Sequence, residues 1–409
     1  MSDTFDILIV GGGMVGASLA RSISGQGYKI GVIEAWPLES VTQPSFDDRV
    51  IALSWGSRVI LRTMGVWDSV LPAAEPILDV HISDRGHFGF TRLSHQQEGV
   101  DALGYVVAAR ALGQALLKDL QAQADIELIC PARLKSFAVN ATETEVRLEQ
   151  DNALRCVKSR LLVAADGGDS QVRRFLSIPL KEKSYGQTAI IANLRCERTH
   201  QGVAYERFTD TGPLALLPMT EDRLSMVWTA KDAQVGELMA LQDEQFLARL
   251  QDRFGYRLGR LFGLGKRVAY PLCLRQATEQ VRPRVVLIGN AAHAIHPVTG
   301  QGFNLGLRDV AVLADLLCGA AQTTQDPGEL SLLKSYEKWR QKDQDAVAMI
   351  TDGLARLFAN PFGPLRLVRN LGLVSLDVAP SLKHLVARQF MGINGRLPRL
   401  ARGVSLDQS

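Results

Sequence analysis

The residues best suited to chemistry lie in a loop between a strand and a helix, at Gly300-Gln301-Gly302. The apolar run 285–288 predicts a buried strand, Gly289-Asn290 interrupts it, and a helix is predicted from near Phe303. A glycine-flanked loop before a helix presents free backbone N–H groups and the positive end of the helix dipole. This pattern favours a loop that holds electron-rich oxygen atoms of a ligand, and an ordinary strand–turn–helix connection is the alternative.

The N-terminus carries a second glycine loop in a setting typical of dinucleotide binding. A predicted buried strand runs directly into Gly11, Gly13 and Gly16, which are spaced as G-x-G-x-x-G, and a helix and a strand ending on Glu34 follow. The glycines allow a tight turn and a close approach to a pyrophosphate, and Glu34 can accept hydrogen bonds from ribose hydroxyls. Because its carboxylate would repel a 2′-phosphate, we predict FAD or NAD here and not NADP. A purely structural turn is the alternative.

A third loop follows the apolar run 161–165 and contains Asp166. Ligands of open α/β sheets bind at the carboxyl ends of strands, so we favour a ligand role for Asp166 over a turn cap. The helix after it is predicted to be capped by Asp169 or Ser170. Arg49 follows a polar loop and opens a helix that is predicted to end at Gly65. The Arg49 side chain either is a solvated surface charge or reaches over a bound cofactor, and the sequence leaves both alternatives open.

The composition excludes several classes of protein. The chain has 409 residues, 46% of them hydrophobic and 22% charged, which predicts a large packed core and more than one domain. A net charge of +3 gives no support for nucleic-acid binding. The five cysteines are scattered and the histidines lack ligand spacing, so we expect no metal site. Acidic Asp3 and Asp6 argue against a secretory signal, and we expect a cytoplasmic protein.

The elements that position these loops fall into two patterns. Strands alternate with helices around the three loops, which predicts a parallel sheet. Between residues 181 and 265 the pattern changes to a mostly antiparallel sheet followed by a helix over Asp243–Phe254. Strands near 126–130, 133–139 and 144–149 are predicted to form an antiparallel appendage.

The motifs together resemble one enzyme family over nearly the whole chain. GGGMVG with Glu34 and Arg49, AADGGDSQVRR, and GNAAHAIHPVTGQGFNLGLRD are similar to the FAD-dependent aromatic hydroxylases of the p-hydroxybenzoate hydroxylase type. VHISDRGHFGF and ERFTDTGPLALLPM resemble the ubiquinone-biosynthesis branch of that family. The fold class expected is α/β, with a Rossmann-like FAD-binding domain, an interposed mostly antiparallel β-sheet substrate domain and a C-terminal helical region.

The resemblance implies a division of the chain into domains. The FAD-binding domain would comprise 1–78, 101–180 and 268–350, the substrate domain 79–100 and 181–267, and the C-terminal helical region 351–409.

The resemblance also implies roles for individual residues. The residues implied to bind the cofactor are Gly11, Gly13, Gly16, Glu34, Arg49, Arg110, Asp166, Asn290, Gly300, Gln301, Gly302 and Asn304. Asn290 stands where most members have Asp, and its amide can still donate to and accept from a ribitol hydroxyl. Pro297, Gly300 and Gln301 would form the environment of the flavin ring, where the helix dipole stabilises the charge of reduced flavin. We identify no general base: Tyr185, Gln187, Asn193 and Arg207 are polar candidates that could equally lie on the surface.

The implied chemistry is aromatic hydroxylation with FAD as cofactor. NADPH or NADH would reduce FAD as a transient reductant, and O₂ would enter as co-substrate through a C4a-hydroperoxide. The implied substrate is a polyprenylated phenol, 2-polyprenyl-6-methoxyphenol, converted to the 1,4-benzoquinol in ubiquinone biosynthesis. Another ubiquinone precursor or a soluble phenol remains open, as does a non-enzymatic prenyl-lipid carrier without flavin.

The C-terminal region is strongly basic. From residue 354 onward there are eight basic residues against Asp377 and Asp407: Arg356, Arg366, Arg369, Lys383, Arg388, Arg396, Arg399 and Arg402. Apolar residues alternate with them, which indicates a peripheral contact with the inner membrane or with other ubiquinone-biosynthesis proteins. A helical cap with a solvated basic face remains equally open.

Overall fold

Two large sheets and a small one form the framework of the protein. The computed structural model describes residues 3–37, 49–294, 300–359, 370, 372 and 374–406, with the side chains of 354–359 outside the description. The strands are β1 (Asp3–Val10), β2 (Ile30–Ile33), β3 (Val50–Ser54), β4 (Ala74–Ile77), β5 (Asp79–Asp84), β6 (Phe90–Ser94), β7 (Gly104–Ala108), β8 (Ile126–Ile129), β9 (Arg133–Val139), β10 (Thr144–Gln150), β11 (Ala153–Ala164), β12 (Leu180–Cys196), β13 (Val203–Thr209), β14 (Gly212–Met219), β15 (Arg223–Lys231), β16 (Leu261–Phe262), β17 (Val268–Ala277), β18 (Val281–Arg282), β19 (Val285–Leu287) and β20 (His293–Ala294). The helices are α1 (Met14–Ile23), α2 (Trp55–Thr63), α3 (Trp67–Val70), α4 (His95–Glu98), α5 (Ala109–Gln121), α6 (Gln171–Phe175), α7 (Asp232–Ala240), α8 (Asp243–Phe254), α9 (Gly302–Gln322), α10 (Leu330–Ala359) and α11 (Pro380–Phe390).

The first sheet has the order β18-β19-β11-β1-β2-β8, and its strands from β19 to β8 are parallel. Ile7, Leu8 and Ile9 in β1 are all fully buried, because the sheet is covered on both faces. Helices pack on the side of Ile7 and Ile9, and β9 and β10 contribute to the apolar cluster around Leu8. The prediction of an antiparallel appendage is therefore wrong for β8, because β8 pairs in parallel with β2 at the edge of this sheet. β9 and β10 do form an antiparallel ribbon with β11. Short strands of similar pattern do not reveal their partners, which is why these three were grouped.

The second sheet has the order β20-β17-β12-β15-β14-β13-β5-β6. Its neighbours are antiparallel except for β13 and β5, which run parallel with Val203 opposite Asp79. Helix α8 covers one face, where Phe246 and Leu250 pack in one apolar cluster with Trp228. The predicted antiparallel sheet and the predicted helix over Asp243–Phe254 are both confirmed. The sheet continues through β17 to Ala277, beyond the predicted boundary at 267, and the division into domains remains a prediction.

The third sheet, β3-β7-β4, lies between the other two parts of the structure. The prediction of a helix opening at Arg49 is wrong over Val50–Ser54, because these residues form β3 and pair with β7. β-Branched Val50 and Ile51 favour a strand. The helix starts only at Trp55, where the Ser54 side chain caps it by accepting a hydrogen bond from the Ser57 N–H.

Two helices, α10 and α11, dominate the described part of the C-terminal region. Arg399 anchors the chain after them, because its guanidinium pairs with Asp315 of α9. Within the described ranges, none of the helices combines the length and the apolar character that crossing a bilayer requires. The predicted α/β fold class with a C-terminal helical region is confirmed.

Candidate functional site

Two of the predicted loops, those at Gly11 and Asp166, lie at one edge of the first sheet together with Glu34 and the Gly289-Asn290 turn. Strands β19, β11, β1 and β2 are parallel neighbours, so their carboxyl ends meet there. These ends lead into Gly289-Asn290, Asp166, Gly11 and Glu34 respectively. This edge is where ligands of open α/β sheets bind.

The first glycine loop is folded too tightly to accept side chains. Gly11 has φ +103°, and a Cβ added to it would lie 2.5 Å from the carbonyl oxygen of Ala165. A Cβ on Gly16 would lie 1.9 Å from the carbonyl oxygen of Gly11. Gly13 stands at the N-cap of α1 without a side-chain cap, so the N-terminus of α1 is open to an anionic ligand.

Glu34 is buried at the end of β2 and organises the same loop. Its Oε2 accepts a hydrogen bond of 2.8 Å from the Gly12 N–H, and its Oε1 accepts one of 2.9 Å from the Trp36 N–H. Burial raises the pKa of Glu34, although these backbone donors partly oppose that effect. Each oxygen keeps a lone pair, so the predicted contact with ribose hydroxyls is compatible with this arrangement.

Asp166 and the Gly289-Asn290 turn are joined by Arg173, a residue that the sequence analysis did not single out. Asp166 Oδ2 accepts hydrogen bonds from the backbone of α6, and its Oδ1 is buried without a hydrogen-bond partner within the described residues. Arg173 donates to the carbonyl of Gly168 at 2.7 Å and to that of Ala291 at 2.9 Å. The predicted cap by Ser170 is confirmed. The side chain of Asn290 is exposed beside this bridge.

The Gly300 loop is held against β3 by one amide. Asn304 Oδ1 accepts a hydrogen bond of 2.9 Å from the Ser54 N–H, and its Nδ2 donates to the carbonyls of Ala52 at 2.8 Å and Gly300 at 2.9 Å. Gly300 has φ +60°, and a Cβ there would lie 3.1 Å from the Cβ of Ala52. Asn304 was predicted to offer its backbone N–H to the flavin, and its buried side chain in addition fixes the loop.

Replacing Asn304 with Ala should lower the free energy of unfolding by about 2–3 kcal/mol, because the buried Ser54 N–H and two carbonyls lose their partner. Urea denaturation measures this change. Asn394→Ala is the control, since that amide is exposed and bonds only to its neighbourhood. Equal stabilities of the two variants would show that the amide does not fix the loop.

Helix α9 begins at Gly302, and its N-cap residue, Gln301, provides no side-chain cap. The amide of Gln301 instead donates to the carbonyl of Phe390 in α11. Backbone N–H groups of the first turn are therefore available where the resemblance predicts the flavin ring. Pro297, the third predicted member of this environment, lies outside the described residues.

Beneath this loop lies a buried carboxylate, Asp309, that the sequence analysis did not assign. Its Oδ2 accepts from the Gly289 N–H at 3.0 Å and lies 2.6 Å from His293 Nε2. Its Oδ1 accepts from Arg340 Nε at 2.7 Å and from Gln344 Nε2 at 3.0 Å. Burial alone would raise the pKa of Asp309, but His293 and Arg340 outweigh burial and hold it well below its usual value. Asp309 thus ties the Gly289 turn to α9 and α10.

The other predicted residues are distributed around the site. The Arg49 guanidinium lies 4.8 Å from the ring centre of Tyr270 in β17, and Arg110 lies in the first turn of α5. Among the polar candidates for a base, Tyr185 donates to Asp352 and Gln187 donates to the carbonyl of Thr211. Neither side chain is available as an unbonded base.

The structure also places the two remaining polar candidates. Arg207 donates to the carbonyl of Phe254 in α8. Asn193 forms a backbone contact with Gly265.

An apolar surface of the second sheet covers the Gly300 loop through β3. Ala204 and Leu217, on β13 and β14, pack in one cluster with Val50 and Ala52 of β3. Ala52 is the residue that contacts the Gly300 loop on its other side. This apolar surface is thus continuous, through Ala52, with the loop predicted to hold the flavin.

The residues present fit FAD. The first loop has an uncapped helix N-terminus for a pyrophosphate, Asp166 Oδ1 is a buried acceptor without a partner in the described chain, and the Gly300 loop leads into a second uncapped helix. Among the described residues, no group of three His, Cys, Asp or Glu side chains could hold a metal ion.

Comparisons with known proteins agree with this geometry. A family model described as "FAD binding domain" matches residues 4–351. "Ubiquinone hydroxylase UbiL" of Rhodospirillum rubrum is 40% identical over 404 residues, covering 98% of this chain and 93% of that protein. "3-demethoxyubiquinol 3-hydroxylase" of Escherichia coli is 33% identical and covers 95% and 98%. The crystal structure of p-nitrophenol 4-monooxygenase PnpA from Pseudomonas putida has a similar fold, with a TM-score of 0.80 and 17% identity over 96% of this chain and 99% of that one.

Proposed function

The chain belongs to the FAD binding domain family and is an FAD-dependent aromatic monooxygenase, and we propose that it hydroxylates the ring of a polyprenylated phenol in ubiquinone biosynthesis. The observation that supports the substrate class is the apolar sheet surface of Ala204 and Leu217 over the Gly300 loop. An aromatic ring placed between that surface and the flavin would be shielded from water. The names of the similar proteins from R. rubrum and E. coli point to a ubiquinone precursor.

The chain's own residues would bind the cofactor, orient the substrate ring and exclude water from the site. When bound, FAD takes a hydride from NADPH or NADH and activates O₂ for transfer to the ring. Gly11, Gly13 and Gly16 would let the backbone approach the pyrophosphate, and the N–H groups in the first turn of α9 would bind the flavin pyrimidine. Asn304 holds that turn against β3. The ring therefore meets a rigid loop, as oxygen transfer requires.

A small hollow lies between α10 and α11, beside the Gly300 loop. A cavity beside Gln301 is lined by Val347, Ile350 and Thr351 of α10 and by Gln389 and Phe390 of α11. Apart from the amides and the Thr351 hydroxyl, which donates to its own helix backbone, this lining is apolar. The cavity volume of about 10 Å³ holds a single water molecule at most, so the prenyl chain of the proposed substrate is supported by the names of the similar proteins and not by this hollow.

Quinone lipids of cells that lack this protein test the proposal. Grown in air, such cells should lose ubiquinone and accumulate a prenylated phenol, which mass spectrometry identifies together with the position that lacks its hydroxyl. We propose 2-polyprenyl-6-methoxyphenol as that compound. Accumulation of a different precursor would reassign the position, and unchanged ubiquinone in a strain without a second such enzyme would contradict the pathway.

We further propose that α11 touches the membrane surface from which such a substrate comes. Leu382 and Leu385 on this helix are 46% and 57% exposed, and Val378 just before it is 72% exposed. A spacing of three residues places Leu382 and Leu385 on one face of α11, as in interfacial helices. The basic residues of the C-terminal region contribute less to the attraction of an anionic membrane than their number suggests, because Lys383 pairs with Asp377 and Arg399 pairs with Asp315.

Replacing Leu382 and Leu385 together with Glu should weaken binding to vesicles of phosphatidylglycerol and phosphatidylcholine by at least about tenfold, because two apolar side chains leave the interface. Flotation at low salt measures this. Leu154→Glu is the matched control, because Leu154 is 76% exposed on β11. Binding that is unchanged in the double variant would contradict a membrane contact through α11.

A further inference from the structure

On the face of the second sheet that β3 covers, the carboxyl group of Glu206 has an oxygen without a hydrogen-bond partner among the described residues. In β13, Tyr205 and Arg207 face α8: the Tyr205 ring lies 5.5 Å from that of Phe254, and Arg207 donates to the Phe254 carbonyl. Strand alternation places Glu206 on the opposite face, together with Ala204. Glu206 Oε1 is shielded from solvent and has no hydrogen-bond partner in the described part of the chain.

The surroundings of Glu206 are apolar. Its cross-strand neighbours are Ile82 in β5 and Ala215 in β14. Two residues away, Ala204 packs in the cluster that contains Ala52. Glu206 as a whole is half-buried, and a carboxyl oxygen left without a hydrogen bond in such a place lowers stability, which is typical of a functional site.

The same face leads to the Gly300 loop. Ala52 lies between them, because it packs with Ala204 on one side and its carbonyl accepts from Asn304 on the other. Helix α10 also packs against β13 and β14, and its Val347 lines the apolar cavity beside Gln301. The region that Glu206 faces is therefore the region proposed for the aromatic ring.

We propose that Glu206 binds the hydroxyl group of the phenolic substrate and accepts its proton as the general base. This inference rests on the proposed function. The phenolic O–H bond breaks, the proton passes to the Glu206 carboxylate, and the electron pair stays on the phenolic oxygen. That pair delocalises to the ring carbons ortho and para to the oxygen, which become the nucleophiles for oxygen insertion. The proton leaves to solvent when the product departs.

The ionisation of Glu206 suits this role. Burial raises the pKa of Glu206 to about 8, which is closer to that of a phenol, about 10, than the pKa of an ordinary carboxyl group is. A base with a pKa near the working pH is the more effective proton acceptor. On β5, strand alternation places Asp84 on the face of Glu206. Asp79 and His81 lie on the other face, where His81 packs beside Tyr205. Asp84 of β5 accepts from Asn370, Asp352 of α10 pairs with Lys183, and β14 carries no charged residue.

The test compares wild type with Glu206→Gln on a phenol that carries one isoprenyl unit, from pH 6 to 10. In wild type, kcat should rise with pH through about 8, because the carboxylate form is the active one. The variant should bind FAD fully, lose about 100-fold in kcat, lose this pH dependence and release hydrogen peroxide instead of product. Glu221→Gln is the control, since Glu221 is on an exposed turn.

Two further measurements separate a base from a structural residue. A fluorinated phenol, which ionises at lower pH without help, should restore much of the rate of Glu206→Gln, and Glu206→Asp should keep the pH dependence. Above the ordinary pKa of a carboxyl group, a buried charge at Glu206 lowers the stability of the folded protein. At pH 8, Glu206→Gln should therefore have a melting temperature at least as high as that of wild type. A variant that hydroxylates at the wild-type rate with the wild-type pH profile overturns the inference alone. A wild type that oxidises no phenol overturns the proposed function, and the inference falls with it.

Discussion

Replacing Gly16 with Ala should yield a protein that purifies with little or no yellow flavin. The added Cβ would lie 1.9 Å from the carbonyl oxygen of Gly11, a backbone atom that cannot move without opening the loop. Overpacking of about 1–3 kcal/mol at a binding loop corresponds to a loss of about 5- to 150-fold in affinity for FAD. Titration of the apoprotein with FAD, followed by the quenching of flavin fluorescence, measures this loss.

The matched control is Gly319→Ala. Gly319 lies inside α9, and a Cβ there would meet no atom within 4 Å. Alanine in a helix interior should stabilise the fold by about 0.5–1 kcal/mol and leave FAD affinity unchanged. If Gly16→Ala bound FAD as tightly as Gly319→Ala, the first loop would not be the pyrophosphate site.

Asp309→Asn should destabilise the protein by about 3–5 kcal/mol, which is a large share of the stability of a typical protein. All four groups around Asp309 donate hydrogen bonds to its carboxylate. In the Asp309→Asn variant an NH₂ group replaces one of the accepting oxygens, so the donors on that side lose their acceptor and face another donor. The buried guanidinium of Arg340 then loses one of the two anionic partners that it has among the described residues and keeps only Asp343. Urea denaturation with and without added FAD measures both the stability and the flavin affinity, and both should fall because the Gly289 turn is released.

The pH dependence of the free energy of unfolding provides a further check on the role of Asp309. The pKa of Asp309 is lower in the folded state than in the unfolded state. Its contribution to the free energy of unfolding is therefore fully present above the unfolded-state pKa, about 4, and is lost as the pH falls below that value. The stability difference between wild type and Asp309→Asn should therefore shrink in acid. Glu237→Gln serves as control, because its ion pair with Arg249 is exposed and should contribute less than about 1 kcal/mol. A difference that is constant down to pH 3 would contradict the ionised state of Asp309.

Local signals in the sequence were sufficient for most elements of the site. Strand–glycine–helix patterns predicted the loops at Gly11, Asp166 and Gly300, and the parallel sheet brings the first two together with the Gly289 turn at one edge. The cap by Ser170 and the helix over Asp243–Phe254 were predicted from local chemistry and periodicity. Such features depend on neighbours in sequence, which a single chain reveals.

Features that depend on distant partners were missed. The strand β3 was interpreted as the start of a helix because its partner, β7, lies far along the chain. Asp309 looked like one more polar residue of a helix, and its role requires Gly289, His293 and Arg340 to converge on it. Glu206 carried one usable signal: strand alternation places it on the same face as apolar Ala204 and Phe208, where a carboxyl group is out of place.

The parallel pairing of β5 with β13 has a consequence for how the protein is made. On the ribosome, the β5–β6 hairpin emerges early, but the strand that pairs with β5 emerges only once Val203 and the residues after it have been synthesised. Until then the hairpin has an unpaired edge, and Phe88 and Phe90, exposed even in the finished fold, lie beside it. Pairing between segments so far apart in the chain slows folding, because loop closure must come before the contacts that reward it. Nascent chains that stall before β13 therefore carry an aggregation-prone edge, so the speed of translation through this segment influences the yield of folded protein.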